Sequence, residues 1–167
     1  QSCLGIDITY IKVNGKFRYL CVIIDLFSRK VISYSISNNP DANLVTHTFN
    51  SAYAKRKPTE TLIFHSDRGC QYTSKKFRSL LDRFNVVQSF SDKGYPYDNA
   101  VAESFFKYLK LEETNRRNYC STEELKLSLF QYIDGYYNKK RSHSANNILS
   151  PDEKEALCSK RSLSTIK

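Results

Sequence analysis

Residues 3–11 alternate apolar and polar side chains, the period of a strand with two different faces. Asn14-Gly15 marks a tight hairpin turn, and residues 17–25 (Phe-Arg-Tyr-Leu-Cys-Val-Ile-Ile-Asp) read as the central strand of a sheet. After the polar connection Ser28-Arg29-Lys30, residues 31–37 alternate again. Asp41 offers an N-cap to a helix over residues 42–56, with Leu44, Val45, Thr48, Phe49 and Ala52 on one face and Lys57-Pro58 as its stop. Residues 60–65 form a short apolar strand. Ser74 caps a helix over 74–84 with the stripe Phe77, Leu80, Leu81 and Phe84, and residues 85–90 make a fifth strand. Gly94 and Pro96 punctuate a loop at 91–98. Helices follow over residues 99–116, 122–137 and 151–157, and the chain frays after Ser159.

Three hairpin-linked strands followed by helix, strand, helix, strand predict an α/β domain: one five-stranded mixed sheet flanked by helices, with extra helices at the C-terminal end. The 167 residues suit a single domain, assigned to residues 1–159 with a disordered tail at 160–167. A net charge of +9 favours a polyanionic partner. No apolar run is long enough for a spanning helix, so nucleic acid is the expected partner rather than a membrane. The five cysteines are scattered with no C-x-x-C pair, which argues against a zinc site and a disulfide framework and suits a reducing cytoplasm. Methionine is absent, which points to a piece of a longer protein.

Within that frame three acids stand out. Asp7 lies inside the first alternating strand, Asp67 follows the fourth strand, and Glu103 lies in the first turn of the helix after the fifth. Alone, each has an ordinary reading: a strand-end acid, a turn acid, and a carboxylate that complements a helix N-terminus. An acid among buried apolar neighbours is costly unless it is paired or binds metal. Converging carboxylates can hold divalent cations, and two such cations can cut and rejoin phosphodiesters. Asp25, at the end of the second strand, reads as a turn acid pairing with Ser28 or Arg29. His65 reads as a packed core histidine.

The order of strands and acids resembles a ribonuclease H-like fold. The segments Gly5-Ile6-Asp7-Ile8-Thr9-Tyr10-Ile11, Ile24-Asp25-Leu26-Phe27-Ser28-Arg29-Lys30-Val31, His65-Ser66-Asp67-Arg68-Gly69-Cys70-Gln71-Tyr72 and Asp98-Asn99-Ala100-Val101-Ala102-Glu103-Ser104 resemble the catalytic core of bacterial insertion-sequence transposases. The group in question makes its enzyme as an OrfA–OrfB frameshift fusion and shares the DDE core of retroviral integrases. Tyr137-Asn138-Lys139-Lys140-Arg141-Ser142-His143 resembles that group's C-terminal signature. Two departures are visible: Leu4 where many members have Trp, and Ser144-Ala145-Asn146-Asn147 in place of a Leu-Gly turn.

The resemblance implies that Asp7, Asp67 and Glu103 are both the catalytic and the metal-binding triad. It implies Mg²⁺ or Mn²⁺ as cofactor, two ions, with no organic cofactor. The implied reaction is strand cleavage followed by 3′-hydroxyl transfer, on double-stranded DNA at element ends and target. It further implies homo-oligomers on DNA, a bacterial cytoplasmic location at the nucleoid, and an N-terminal DNA-binding region outside this chain. The rival readings are a ribonuclease H-like nuclease or resolvase, and an inactive DNA-binding module of the same fold.

Candidate DNA contacts surround the acids. Lys107 and Lys110 share a helix face with Glu103 and suit phosphates; the plainer reading is a solvated face with a Glu-Lys pair. Residues 55–83 carry eight basic residues against three acids, and Arg68 adjoins the second acid. Tyr95 and Tyr97 can stack on unpaired bases or pack beneath their loop. Asn138, Arg141 and His143 can touch DNA or cap a helix.

Overall fold

The computed structural model describes residues 2–90 and 100–164, with side chains considered for residues 3–90 and 100–160. Five strands, β1 (Ser2–Val13), β2 (Lys16–Asp25), β3 (Val31–Ser37), β4 (Leu62–Ser66) and β5 (Val87–Phe90), form one sheet in the order β3-β2-β1-β4-β5. The first three are antiparallel neighbours, whereas β4 joins β1, and β5 joins β4, in parallel. β1, not β2, holds the middle of the sheet, because the parallel strand β4 docks on its free edge. The β1–β2 turn has both Asn14 (φ 45) and Gly15 (φ 77) left-handed, as a tight hairpin with the sheet's twist requires.

Alternation along the strands feeds two separate cores. Leu4, Ile6, Cys21, Ile23, Ile32, Leu62 and Phe64 face α1 (Ala42–Arg56) and α3 (Lys75–Arg83). Ile11, Val13, Leu20, Val22, Ile24 and Val31 face α4 (Ala100–Glu112) and α5 (Thr122–Phe130). The α1 stripe is the predicted one, and the Asp41 carboxylate accepts the Leu44 N–H at 3.0 Å as its cap. Ala102, Phe105, Phe106 and Leu109 bury the predicted face of α4.

Four elements differ from expectation. A short helix, α2 (Cys70–Thr73), follows the second acid. The helix expected over 99–116 ends at Glu112 and tightens into a separate turn at Thr114–Arg116; residue 99 lies outside the described residues. The helix over 122–137 widens from Gln131 to Tyr137, so that the Asn138 N–H reaches back five residues to the Ile133 carbonyl at 3.0 Å. Finally, α6 (Pro151–Ser164) runs on beyond residue 157.

α6 is held by ions rather than by a broad apolar face. Glu155 receives Lys30 at 2.9 Å, the Ser28 hydroxyl at 3.1 Å and the Arg56 guanidinium, and Asp152 receives Lys30 at 2.8 Å. Asp25 joins this network: it accepts the Phe27 and Ser28 N–H groups, each at 2.9 Å, and pairs with Arg56 at 3.1 Å. Its ionic partner is therefore Arg56, with Ser28 reached through the backbone. Asn146, in the departing turn, is fully buried and donates to the Ser28 carbonyl at 2.7 Å, which gives that turn its packing.

Candidate active site

The β1–β4 ladder ends at the pair Gly5 and His65. Asp7 and Asp67 each lie two residues further on, where the two parallel strands part. By strand alternation Asp7 shares the sheet face of Ile11 and Val13, the face that α4 covers. Glu103 projects from the first turn of α4 and is exposed.

Asp67 is exposed and held by the turn it begins. Its Oδ1 accepts the Gly69 N–H at 2.7 Å, the local hydrogen bond that favours Asp two residues before a turn. A Cβ at Gly69 would stand 2.9 Å from Asp67 Oδ1 and 2.7 Å from Gln71 Nε2, so both side-chain ends would have to move. Beneath the turn Tyr72 is fully buried. Burial, with the Cys21 thiol and the Asp7 and Asp67 carboxylates acting on it, raises the Tyr72 hydroxyl well above the ordinary tyrosine range. Burial likewise pushes the Cys21 thiol up to about 12, against the Thr48 hydrogen bond and with the Asp7 charge adding to the rise. Both carboxylates act on the buried Tyr72 hydroxyl.

Among the described residues, no three acid, His or Cys side chains stand close enough together to hold one ion. The structure aligns two of the predicted acids and sets the third on the covering helix. Were these three acids to supply the ligands, their carboxylate oxygens would suit Mg²⁺ or Mn²⁺ and not a soft metal.

The basic candidates divide. Lys107 and Arg68 are exposed. Lys110 is half-buried, its Nζ 5.0 Å from the centroid of the Tyr10 ring. Some of the basic surplus in 55–83 is structural, since Lys55 donates to the Ile32 carbonyl at 3.1 Å and Arg56 belongs to the α6 network. Tyr95 and Tyr97 lie outside the described residues.

Asn138, Arg141 and His143 each have partners within the fold. Asn138 is buried, and its amide accepts the Val31 N–H and donates to the Val31 carbonyl, both at 3.0 Å; it stitches the widened helix to β3. Arg141 grips the Glu112 carboxylate at 2.8 Å and stacks 3.8 Å from the Tyr108 ring centroid. His143 packs edge-on to Tyr137, and burial, followed by the charges of Arg141 and Arg29, pushes it down to about 4, so it is neutral near pH 7 and brings no charge to a phosphate. His65 is buried with Nδ1 3.3 Å from the Ser89 hydroxyl, a core histidine as expected. Gly69 and Tyr72 were missed as parts of the site; the spacing Asp-x-Gly after a strand was the available signal for the first.

Residues 1–96 match the family described as Integrase core domain, and residues 84–151 match a second family of the same description. A transposase for insertion sequence element IS904 from Lactococcus lactis subsp. lactis (strain IL1403) is 42% identical over 149 residues, which are 89% of this chain and 59% of that protein. The chain therefore spans little more than half the length of that relative. Among solved structures, the catalytic core domain of BIV integrase superposes with a TM-score of 0.67 at 20% identity, covering 96% of each chain. The HTLV-2 integrase catalytic core domain in complex with magnesium (trimeric form) superposes with a TM-score of 0.64 at 17% identity, covering 84% of this chain and 87% of that one.

Proposed function

The chain belongs to the integrase core domain family, and from that premise we propose that it is the catalytic core of an insertion-sequence transposase, which cuts DNA and transfers a free 3′-hydroxyl to a new phosphodiester. The observation that carries this reading is the shared register of Asp7 and Asp67 at the end of the β1–β4 ladder. The core spans residues 1–159, and specific recognition of element ends belongs to sequence outside it.

Asp7, Asp67 and Glu103 are the residues that would hold two divalent ions, Mg²⁺ or Mn²⁺. When bound, such cations activate the attacking oxygen and stabilise the leaving one. The Gly69 N–H fixes the orientation of the Asp67 carboxylate. Lys107, Lys110 and Arg68 bind phosphates of double-stranded DNA to either side, adding affinity and salt dependence without reading sequence. In the first reaction water adds to a phosphorus at the element end, its proton is lost to solvent, and the 3′-oxygen leaves as a hydroxyl. In the second that hydroxyl adds to a target phosphorus and displaces the target's own 3′-oxygen. No protein side chain bonds to DNA in either reaction. Paired ends require more than one copy of the chain.

The test is calorimetric titration with Mn²⁺ of the parent and of Asp67→Asn, followed by incubation with nicked DNA carrying a free 3′-end. Metal binding lost in the variant, with joined products from the parent only, is expected. Cutting without joining would replace the reading with a nuclease. Absence of metal binding in the parent would leave a DNA-binding module.

A further inference from the structure

The β1–β2 hairpin and residues 114–120 enclose a groove of about 730 Å³ that the triad does not use. Its lining includes the cations Lys12, Lys110 and Arg117 and no acid; Arg117 is paired at 2.9 Å with Glu113 on the preceding turn. Two aromatic rings project into it. Tyr10 is 56% and Phe17 53% exposed. The two rings meet edge to face, 5.0 Å between centroids, and Lys110 lies 5.0 Å from the Tyr10 ring centroid. The walls are tied together, since the Asn14 N–H donates to the Tyr119 carbonyl at 2.9 Å and Val13 bridges to Tyr119. The aromatic platform is therefore built into the fold before anything binds.

Along the backbone the groove begins near the acids, although alternation sets Tyr10 on the opposite sheet face from Asp7. Tyr10 is three residues beyond Asp7 on β1, about 10 Å at the usual strand rise. Lys110 is seven residues beyond Glu103 on α4, again about 10 Å at the usual helix rise.

We propose that this groove binds an unpaired stretch of DNA strand leading away from the acids, with Tyr10 and Phe17 stacking on bases and Lys12 and Lys110 on phosphates. This rests on the reading of the chain as a DNA strand-transfer core. Phe17 has no atom with which to hydrogen-bond a phosphate, so an exposed phenyl ring in a cationic groove suits a base face. Base faces are open only where the duplex is unpaired. A protein partner or a second copy would match the apolar rings but gains nothing from an acid-free lining.

The test is fluorescence anisotropy with a labelled single-stranded oligonucleotide and with its duplex, both in EDTA. The proteins are the parent, Phe17→Leu, Tyr10→Leu and Asp67→Asn, each checked for an unchanged melting profile. The expected result is about a tenfold loss of single-strand affinity in each aromatic variant, with duplex affinity unchanged and Asp67→Asn at parental strength. Unchanged single-strand binding in both aromatic variants would overturn the proposal, as would an equal loss on duplex, which would make the groove a backbone-contact surface. An altered oligomeric state in the aromatic variants with unaltered DNA binding would assign the groove to a second copy instead. Because binding in EDTA does not use the acids, a parent that binds single strands here yet joins no DNA would overturn the strand-transfer reading and not the groove.

Discussion

Asp7 and Asp67 occupy matching positions on neighbouring parallel strands, each two residues past the last ladder pair. The relationship is one of backbone register. It places both acids just beyond the end of the β1–β4 ladder, with Asp67 exposed to solvent. Removing charge from the third acid should leave this frame alone. Glu103 is exposed on α4, so Glu103→Gln should abolish metal-dependent strand transfer while the circular dichroism spectrum and non-specific DNA affinity stay parental. Retained joining of DNA by Glu103→Gln would sink the assignment of the triad.

Gly69→Ala tests the support of Asp67. The added methyl would displace the ends of two flexible side chains, Asp67 and Gln71, rather than backbone. The fold should tolerate it with a small change in melting temperature. The carboxylate, however, must turn away from the Gly69 N–H. Loss of such an orienting partner typically weakens metal binding by about 10–100-fold, and Mn²⁺ calorimetry should show a loss in that range. Parental Mn²⁺ affinity would mean that the Asp67 rotamer is not what Gly69 protects.

Asn138→Ala should act on stability and not on DNA. The substitution strips the buried Val31 N–H and carbonyl of the amide that serves both. Leaving two buried polar groups unsatisfied costs roughly 2–4 kcal/mol, readable as a lower urea midpoint. DNA affinity of the folded variant should equal the parent's; a selective loss would restore Asn138 as a DNA contact.

His143 makes the fold sensitive to mild acid. Its folded value of about 4 lies below the ordinary 6.5 of an unfolded histidine, because of burial first and then Arg141 and Arg29. Between those values the unfolded chain binds a proton that the folded chain does not, so stability rises with pH across that window. The contribution is complete above about 6.5 and is lost as pH falls toward 4. Urea midpoints at pH 7 and pH 5 should differ more for the parent than for His143→Phe. Equal differences would remove His143 as the source.

The strands and helices were legible where one residue type decided the matter. Asp41 and Ser74 cap helices as their side chains suggest, and Asn14-Gly15 turns the hairpin. The burial of α4 followed from the spacing of Ala102, Phe105, Phe106 and Leu109. The two aligned acids could be picked out, but their alignment could not: the register of β1 on β4 is set by contacts between segments more than fifty residues apart. The fold partners of Asn138 and Arg141 were hidden for the same reason. Their sequence neighbourhood is polar and basic, and only the chain's return past Val31 and Glu112 gives them buried partners. Nothing local to Tyr10 predicted a lysine from α4 above its ring.

The widened helical segment Gln131–Tyr137 has a consequence for comparison across relatives. A hydrogen bond that spans five residues instead of four holds one more residue than a regular turn, and everything after it is rotated by about 100° around the axis. That rotation swings Asn138 toward β3. A relative whose helix stays regular here would be one residue shorter over this stretch. Its descent from a common ancestor with this chain would show as a single-residue gap between positions 131 and 137, and its counterpart of Asn138 would point away from the sheet even where the amino acid is the same.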